Sequence, residues 1–310
     1  MNRERLLAYV SFAIVCIVWG TTYLAIRIAV RSIPPFLLTA MRFLVAGAIL
    51  FAIAKLRGEA VPRGMRLIRE LIVIALLMIG VGNLAVVWAE QWVPSGIAAL
   101  LVASAPFWAA LLERQHEKGA RIGRRRAIGV LGGFVGVALL VTPGATGSFD
   151  AHFVLGALAI QVGSICWQYG TLRGKYNISG VAPFMSSAVQ MIVGGAACGL
   201  VGLLMGEARR LTWTRDGILG LAYLTILGSL VAYTAYVYAL KKLPMTKMSM
   251  YAYINPLVAV LLGWLILHER LTWVSIVAMC VILGGVALVQ TEGRRSNRTV
   301  EIQVREESAA

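Results

Sequence analysis

Polar and aromatic side chains recur inside the long apolar runs of this sequence, at spacings that place them on one face of a helix. In the first run, Trp19, Thr22 and Tyr23 stand at i, i+3 and i+4. Polar groups are costly to bury in hydrocarbon, so they usually face a partner or a water-accessible cavity. Indole, hydroxyl and amide groups of this kind bind a small solute non-covalently.

Four further runs carry comparable stripes, and the five stripes together predict one central cavity. The candidate substrate-binding residues are Trp19, Thr22, Tyr23, Asn83, Gln161, Ser164, Trp167, Gln168, Ser229, Tyr233, Tyr236, Tyr251 and Asn255. Simpler roles stay open for individual members. Tryptophan and tyrosine anchor helices at membrane surfaces, and serine and threonine hydroxyls bond to their own helix backbone.

The predicted lining is aromatic and neutral, with no central charge pair. It suits an apolar or zwitterionic small molecule, such as a larger apolar or aromatic amino acid. A strongly anionic solute would need a buried lysine or arginine, and Lys241, Lys242 and Lys247 are predicted only at the cytoplasmic rim.

Arg42 falls inside a predicted span, roughly 9 Å below its outer end by helical rise. An arginine at that depth must snorkel to the surface or find a partner. Glu90 lies at the outer end of the third span. We expect Arg42 and Glu90 to form a structural pair or an outer gate.

Pro106 and Pro256 stand in the middle of two spans, at matching positions of an internal repeat described below. Each proline removes a backbone hydrogen bond and is predicted to kink its helix. The kink would be either a fixed bend that closes the bundle or a hinge that swings during transport.

No pattern in the chain predicts a catalytic residue, a metal site or a cofactor. The GxSxG, HExxH and Walker A patterns are missing, and the four cysteines stand singly within apolar runs. A proton-coupled carrier usually has a titratable group in its pathway. The sequence offers only peripheral candidates such as Glu90, so facilitated diffusion, exchange and proton antiport all stay open.

The positioning elements are predicted to be ten transmembrane helices. Apolar residues make up 59% of the 310 and charged residues 14%, whereas a soluble domain has about 25% charged residues. The predicted spans are 8–26, 36–54, 71–89, 97–112, 127–143, 153–172, 181–205, 217–239, 248–267 and 272–290. The net charge of +15 lies in connectors and the tail, which indicates membrane orientation and not nucleic-acid binding.

Lysine and arginine predict the sidedness. With both termini in the cytoplasm, 22 of the 29 basic residues fall in inner segments, six fall in outer segments, and Arg42 lies within a span. This excess agrees with the positive-inside rule.

The sequence is also duplicated. Trp19, Pro35 and Gly47 recur at an offset of 148 residues as Trp167, Pro183 and Gly195. Five spans per copy is an odd number, so the second copy must be inverted in the membrane. We therefore predict repeats over 1–143 and 153–290 around a central cavity, followed by a disordered cytoplasmic tail over 291–310.

Several segments resemble the EamA family of the drug/metabolite transporter superfamily. They are VWGTTYLAIRIAV (18–30), AMRFLVAG (40–47), WAEQWVPSGIAALLVASAPFWAALL (88–112), INPLVAVLLGWLILHERLT (254–272) and ILGGVALV (282–289). The resemblance implies secondary transport by two inverted five-helix repeats. The family's Gly-Glu-Arg/Lys-Leu turn is degenerate in the first repeat and survives in the second as His268-Glu269-Arg270-Leu271, and we expect both turns to be structural.

The favoured function is export of amino acids or related amphiphilic solutes across the inner membrane by alternating access. The partners would be this solute and membrane lipid. Glycines at GxxxG spacing serve helix packing and leave the oligomeric state open. The alternative is a lipid-carrier flippase component or a non-transporting membrane subunit.

Overall fold

The computed structural model describes residues 3–116, 124–140, 151–178, 180–243, 248, 251–269, 271–285 and 287–288. Over these residues the chain is helical and contains no strand. The predicted tail 291–310 lies outside the described residues, and so does residue 117, the last residue of the degenerate turn (112–117) of the first repeat.

The described residues form ten apolar helices, the number of helices that the sequence predicts. They are α1 (Arg3–Ala29), α2 (Pro35–Leu56), α3 (Met65–Ala89), α4 (in two parts, Ser95–Val102 and Ala105–His116), α5 (Arg124–Leu140), α6 (Ala151–Tyr176), α7 (Pro183–Leu204), α8 (Arg215–Lys242), α9 (Tyr251–Leu267) and α10 (Trp273–Gly285). Six of them (α1, α2, α3, α6, α7 and α8) are long and apolar enough to cross a membrane unaided.

The helices α3 and α8 each change to a π-helical winding in their middle. These stretches are Leu76–Asn83 and Leu224–Tyr233, and they begin 148 residues apart. A π-helix bonds residue i to i+5, so it has a wider turn, and such segments frequently mark functional sites. Side chains that follow a π segment are therefore rotated relative to a continuous α-helix.

The two mid-span prolines occupy different local structures. The α4 helix breaks at residues 103–104, and Pro106 lies in the first turn of its second part, where the missing N–H of proline costs little. Pro256 stands inside the continuous helix α9. The predicted kink at Pro106 is thus a helix break.

Gln161 on α6 holds this break in place. Its Oε1 accepts hydrogen bonds from Ser104 Oγ at 2.8 Å and Trp108 Nε1 at 3.0 Å, and its Nε2 donates to the carbonyl oxygen of Leu101 at 3.1 Å. Backbone freed by a break inside a membrane protein needs such partners. We therefore correct the assignment of Gln161, which packs against α4.

The two halves meet where α2 crosses α7. A β-carbon added to Gly47 would lie 3.0 Å from the backbone nitrogen of Ile192, and one added to Gly195 would lie 3.0 Å from that of Leu44. Gly47 and Gly195 occupy equivalent positions of the repeat, 148 residues apart, and so do Leu44 and Ile192. The two contacts are therefore the same contact made once by each half. Glycine is required because only the absence of a side chain permits such close approach of helix backbones.

Three glutamates from distant segments cap helix N-termini. Glu207 Oε2 accepts from the backbone nitrogen of Leu37 at 3.0 Å, and Glu59 Oε2 accepts from that of Met185 at 2.9 Å. Each glutamate follows one helix of the α2–α7 pair and caps the other. A carboxylate at a helix N-terminus satisfies unpaired N–H groups and opposes the helix dipole.

The third cap is Glu269, from the turn after α9. It accepts from the backbone nitrogens of Ser95 at 2.8 Å and Gly96 at 3.1 Å, and from Ser95 Oγ at 3.0 Å. The preceding His268 has a φ of 54°, a conformation that non-glycine residues seldom adopt. This contact supports the structural role expected for the His268–Leu271 turn.

We predict that Glu269→Gln lowers the free energy of unfolding by about 1–3 kcal/mol, because an amide cannot accept from all the donors that the carboxylate satisfies. The measurement is thermal unfolding of the purified protein in detergent. Glu4→Gln is the matched control: Glu4 pairs with Lys242 at an exposed site, where ion pairs contribute little. Equal unfolding temperatures for the two variants would contradict the capping role.

Candidate functional site

A central cavity of about 80 Å³ lies between helices of both halves. Its wall comes from α1, α2, α3 and α4 of the first half and from α6, α8 and α9 of the second. The lining residues are Trp19, Thr22, Tyr23, Ile26, Arg42, Phe43, Gly82, Asn83, Val86, Val102, Ala105, Gly163, Ser164, Trp167, Tyr233, Tyr251 and Asn255. Both π-helical stretches contribute, through Gly82 and Asn83 on α3 and Tyr233 on α8.

Nine of the thirteen predicted binding residues lie on this wall, because helical periodicity had identified the inward faces correctly. They are Trp19, Thr22, Tyr23, Asn83, Ser164, Trp167, Tyr233, Tyr251 and Asn255. The hydroxyl of Thr22 also donates to the carbonyl oxygen of Trp19 at 2.7 Å. Thr22 therefore both bonds to its own helix backbone and lines the cavity.

Four predicted residues lie elsewhere. Gln161 ties the break of α4, and Gln168 does not line the cavity but is buried behind its wall, where its side chain is hydrogen-bonded to Tyr251. Ser229 accepts a hydrogen bond from Arg42, and Tyr236 lines a second cavity described below. Ser229 lies within the π-helical stretch of α8 and Tyr236 follows it, so a stripe drawn at regular α-helical spacing does not describe their positions.

Aromatic rings form one side of the central cavity. The ring of Trp19 meets that of Trp167 at a centroid distance of 5.5 Å and an interplanar angle of 82°, and that of Tyr251 at 5.4 Å and 89°. Tyr233 meets Trp167 at 6.1 Å and 85°. These edge-to-face contacts stabilise a rigid apolar surface that suits an apolar or aromatic part of a ligand.

Arg42 also lines the cavity, although from the sequence we expected it to form a structural pair or an outer gate with Glu90. Its side chain is buried, with 3% exposure, and its guanidinium carbon lies 4.7 Å from the centre of the Phe43 ring. Arg42 Nε donates to Ser229 Oγ at 2.7 Å, whereas Nη1 has no hydrogen-bond partner. The signal in the sequence that could have indicated this position is a charged residue within an apolar run.

The predicted pairing of Arg42 with Glu90 is wrong. Both carboxylate oxygens of Glu90 are buried without a hydrogen-bond partner, and its backbone oxygen accepts from Arg27 Nη1. Glu90 lies in the turn after α3, and Arg27 of α1 is the cation whose charge acts on its carboxylate. Burial raises the pKa of the Glu90 carboxyl well above its usual range, and the Arg27 charge opposes this.

A second cavity of about 280 Å³ lies near the ends of α6 and α8, beside the connector that follows α6. Lys175 and Lys241 are among its lining residues, and Tyr236 and Gln190 stand on the wall towards the central cavity. The hydroxyl of Tyr236 shares a hydrogen bond of 2.9 Å with that of Thr171. Tyr233 on the central cavity donates to Gln190 Oε1 at 2.7 Å, so bonded tyrosines separate the two cavities.

The EamA-like transporter family matches this chain twice, over residues 6–142 and over residues 154–291. The chain belongs to this family. Each matched segment contains five of the ten helices, and the two segments together span both sides of the central cavity. The family membership makes this protein a membrane transporter and agrees with the resemblance seen in the sequence.

Relatives of this EamA-like transporter carry consistent names. A protein named "Uncharacterized inner membrane transporter YedA" from Escherichia coli (strain K12) is 34% identical, covering 93% of this chain and 92% of its own. "Uncharacterized transporter YoaV" from Bacillus subtilis (strain 168) is 21% identical, covering 88% and 92%. A crystal structure with 21% identity superposes with a TM-score of 0.67 over 94% of this chain and 99% of that one, which shows a shared fold.

We predict that the central cavity of this EamA-like transporter admits water. In a chain whose native cysteines are replaced by alanine, Ser164→Cys should react with a water-soluble methanethiosulfonate reagent, because reactive thiolate forms where water enters. Val162→Cys on the same helix is the control, since Val162 is 54% exposed on the outside of the bundle, where lipid would cover it. Labelling of Val162→Cys at the rate of Ser164→Cys would contradict a water-filled cavity.

Proposed function

We propose that this EamA-like transporter moves small solutes with an apolar or aromatic body, amino acids among them, across the inner membrane. The observation that carries the proposal is the central cavity, whose aromatic wall of Trp19, Trp167, Tyr233 and Tyr251 comes from both halves. Ligand sites of this kind combine an apolar wall with a few oriented polar groups. A solute bound there would contact seven helices at once.

The reciprocal contacts between the halves support alternating access. The Gly47–Ile192 and Gly195–Leu44 approaches are related by one offset, as expected of two repeats around a pseudo-two-fold axis. With both termini in the cytoplasm, as the basic residues favour, the second cavity lies on the inner side. The hydrogen-bonded tyrosines between the cavities would then form the inner barrier.

The driving force follows from the charges near the pathway. The central cavity wall contains no carboxylate and no histidine among the described residues. Glu90 is buried above it, in the turn after α3, with its carboxyl biased towards the neutral form. We therefore favour facilitated diffusion or exchange. If transport is coupled to protons, Glu90 is the carboxylate among the described residues that we would expect to carry them.

The test is counterflow in liposomes. Purified protein should exchange labelled L-phenylalanine or L-leucine for unlabelled solute inside the vesicles, with saturable kinetics. Ser164→Leu should reduce the rate by about tenfold or more, because its larger side chain occupies space that the solute needs. Val162→Leu on the lipid-facing side of the same helix should exchange at the wild-type rate.

Two outcomes would contradict the proposal. Absence of counterflow across a broad panel of amino acids would favour a lipid-carrier flippase component or a non-transporting subunit. Equal exchange by Ser164→Leu and wild type would show that the solute does not pass through the central cavity.

We also predict that Pro256 acts as a hinge. Pro256→Ala restores a backbone hydrogen bond inside continuous helix α9, so the exchange rate should fall while solute affinity is retained. Pro106→Ala should have the smaller effect, because Pro106 already lies in the first turn after a break. Counterflow rates and equilibrium binding of both variants provide the measurement. Wild-type rates for both would show that neither proline is a hinge.

A further inference from the structure

We infer that Arg42 binds a carboxylate of the transported solute, so that the substrate class is small monocarboxylates with an apolar or aromatic body. The inference rests on the proposed function, since it assigns a ligand group to the same cavity. Arg42 is 3% exposed, lines the central cavity, and has an unpaired Nη1.

The guanidinium of Arg42 lacks a carboxylate partner within the described part of the chain. Its Nε donates a hydrogen bond to the neutral Ser229 Oγ, and its guanidinium lies over the ring of Phe43. The wall of the central cavity contains no aspartate or glutamate, and the buried Glu90 is associated with Arg27. A charge held away from water without a counter-ion is strongly unfavourable. A ligand carboxylate would supply the missing counter-ion.

The bond to Ser229 gives the guanidinium a defined orientation. Ser229 occupies Nε on one edge of the planar group, which leaves Nη1 to donate to a ligand. Arginine presents its donors in a rigid fork that matches the geometry of a carboxylate. Arg42 belongs to the first half and Ser229, 187 residues later, to the second. Movement of one half against the other would therefore change this contact.

A second buried and unpaired polar atom belongs to a residue of the same cavity wall. Asn83 Oδ1 is buried without a partner, and Asn83 lines the wall together with Arg42. An amide oxygen accepts a hydrogen bond from an ammonium or another N–H donor. α-Amino acids therefore complement both atoms, whereas simple carboxylic acids complement Arg42 alone. An amine without a carboxylate would add a second positive charge beside Arg42.

The second cavity also contains basic residues. Lys175 and Lys241 line it, and none of its lining residues is acidic. Clefts lined by one sign of charge raise the local concentration of solutes of the opposite sign. Tyr236 separates this basic cavity from the aromatic cluster around Trp19. Because the Glu59 charge acts on Lys241, the inference rests on Arg42, and the second cavity adds lysine donors to it.

The experiment compares four related molecules by the thermal unfolding shift of the purified protein in detergent. The probes are 3-phenylpropionate, L-phenylalanine, L-phenylalaninamide and phenethylamine. Binding to the folded state raises the unfolding temperature by an amount that grows with the logarithm of ligand concentration over the dissociation constant. We expect the two carboxylates to bind wild type at least about tenfold more tightly than the amide and the amine, because only they pair with Arg42. Because this comparison uses the wild-type chain, it does not depend on how a variant folds.

The variant arm tests the residue. Arg42→Met should lose about tenfold or more in carboxylate affinity while its unliganded unfolding temperature stays equal or rises, since an unpaired buried charge is removed. Arg42→Lys should retain part of the affinity. Arg173→Met is the matched control: Arg173 pairs with Glu70 at 2.6 Å near the end of the bundle, so its loss should lower the unfolding temperature without changing the preference for carboxylates.

Three results would overturn the inference. They are tight binding of the amide or amine by wild type, unchanged carboxylate affinity in a folded Arg42→Met protein, and no shift of wild type with any of the four probes. The transport proposal fails separately. Carboxylates that bind through Arg42 but do not exchange across liposomes would contradict transport, whereas exchange that ignores the carboxylate would contradict the role of Arg42.

Discussion

Helix N-termini in a bilayer leave N–H groups that water cannot satisfy, and the arrangement of this protein depends on how those groups are paired. Carboxylates from distant turns do so: Glu207 caps α2, Glu59 caps α7 and Glu269 caps α4. Each contact joins a turn to a helix of the other half. The close approach at Gly47 and Gly195 is held between the first two caps, and the cavity lies beside this crossing.

The cavity owes its shape to departures from regular helix geometry. Both π-helical stretches and the break in α4 occur beside it, and the break frees polar backbone that must be satisfied within the protein. Gln161 compensates for the α4 break. Two of the buried groups without partners, Arg42 Nη1 and Asn83 Oδ1, belong to residues of the cavity wall. A buried polar group without a partner lowers stability, and such departures from the usual rules are expected at functional sites.

The success of the sequence reasoning depended on local helix geometry. Trp19 and Tyr23 were assigned correctly to the cavity because α1 is a regular helix through these positions, so spacing in sequence converts directly into a face. Tyr236 was misplaced because Leu224–Tyr233 winds as a π-helix. Gln161 was misplaced for a different reason: its polar groups are used by a break in α4 that the sequence reasoning had treated as a kink.

Sequence alone determined the membrane class, the ten helices, the duplication and the family, because hydropathy, periodicity and repeated motifs are properties of neighbouring residues. Tertiary structure alone decided which polar groups meet. Arg42 contacts Ser229 across 187 residues, and Glu269 contacts Ser95 across 174. Such contacts depend on how each helix is rotated and how closely it packs. For that reason Arg42, expected to pair with Glu90 near the outer surface, lies instead on the wall of the central cavity.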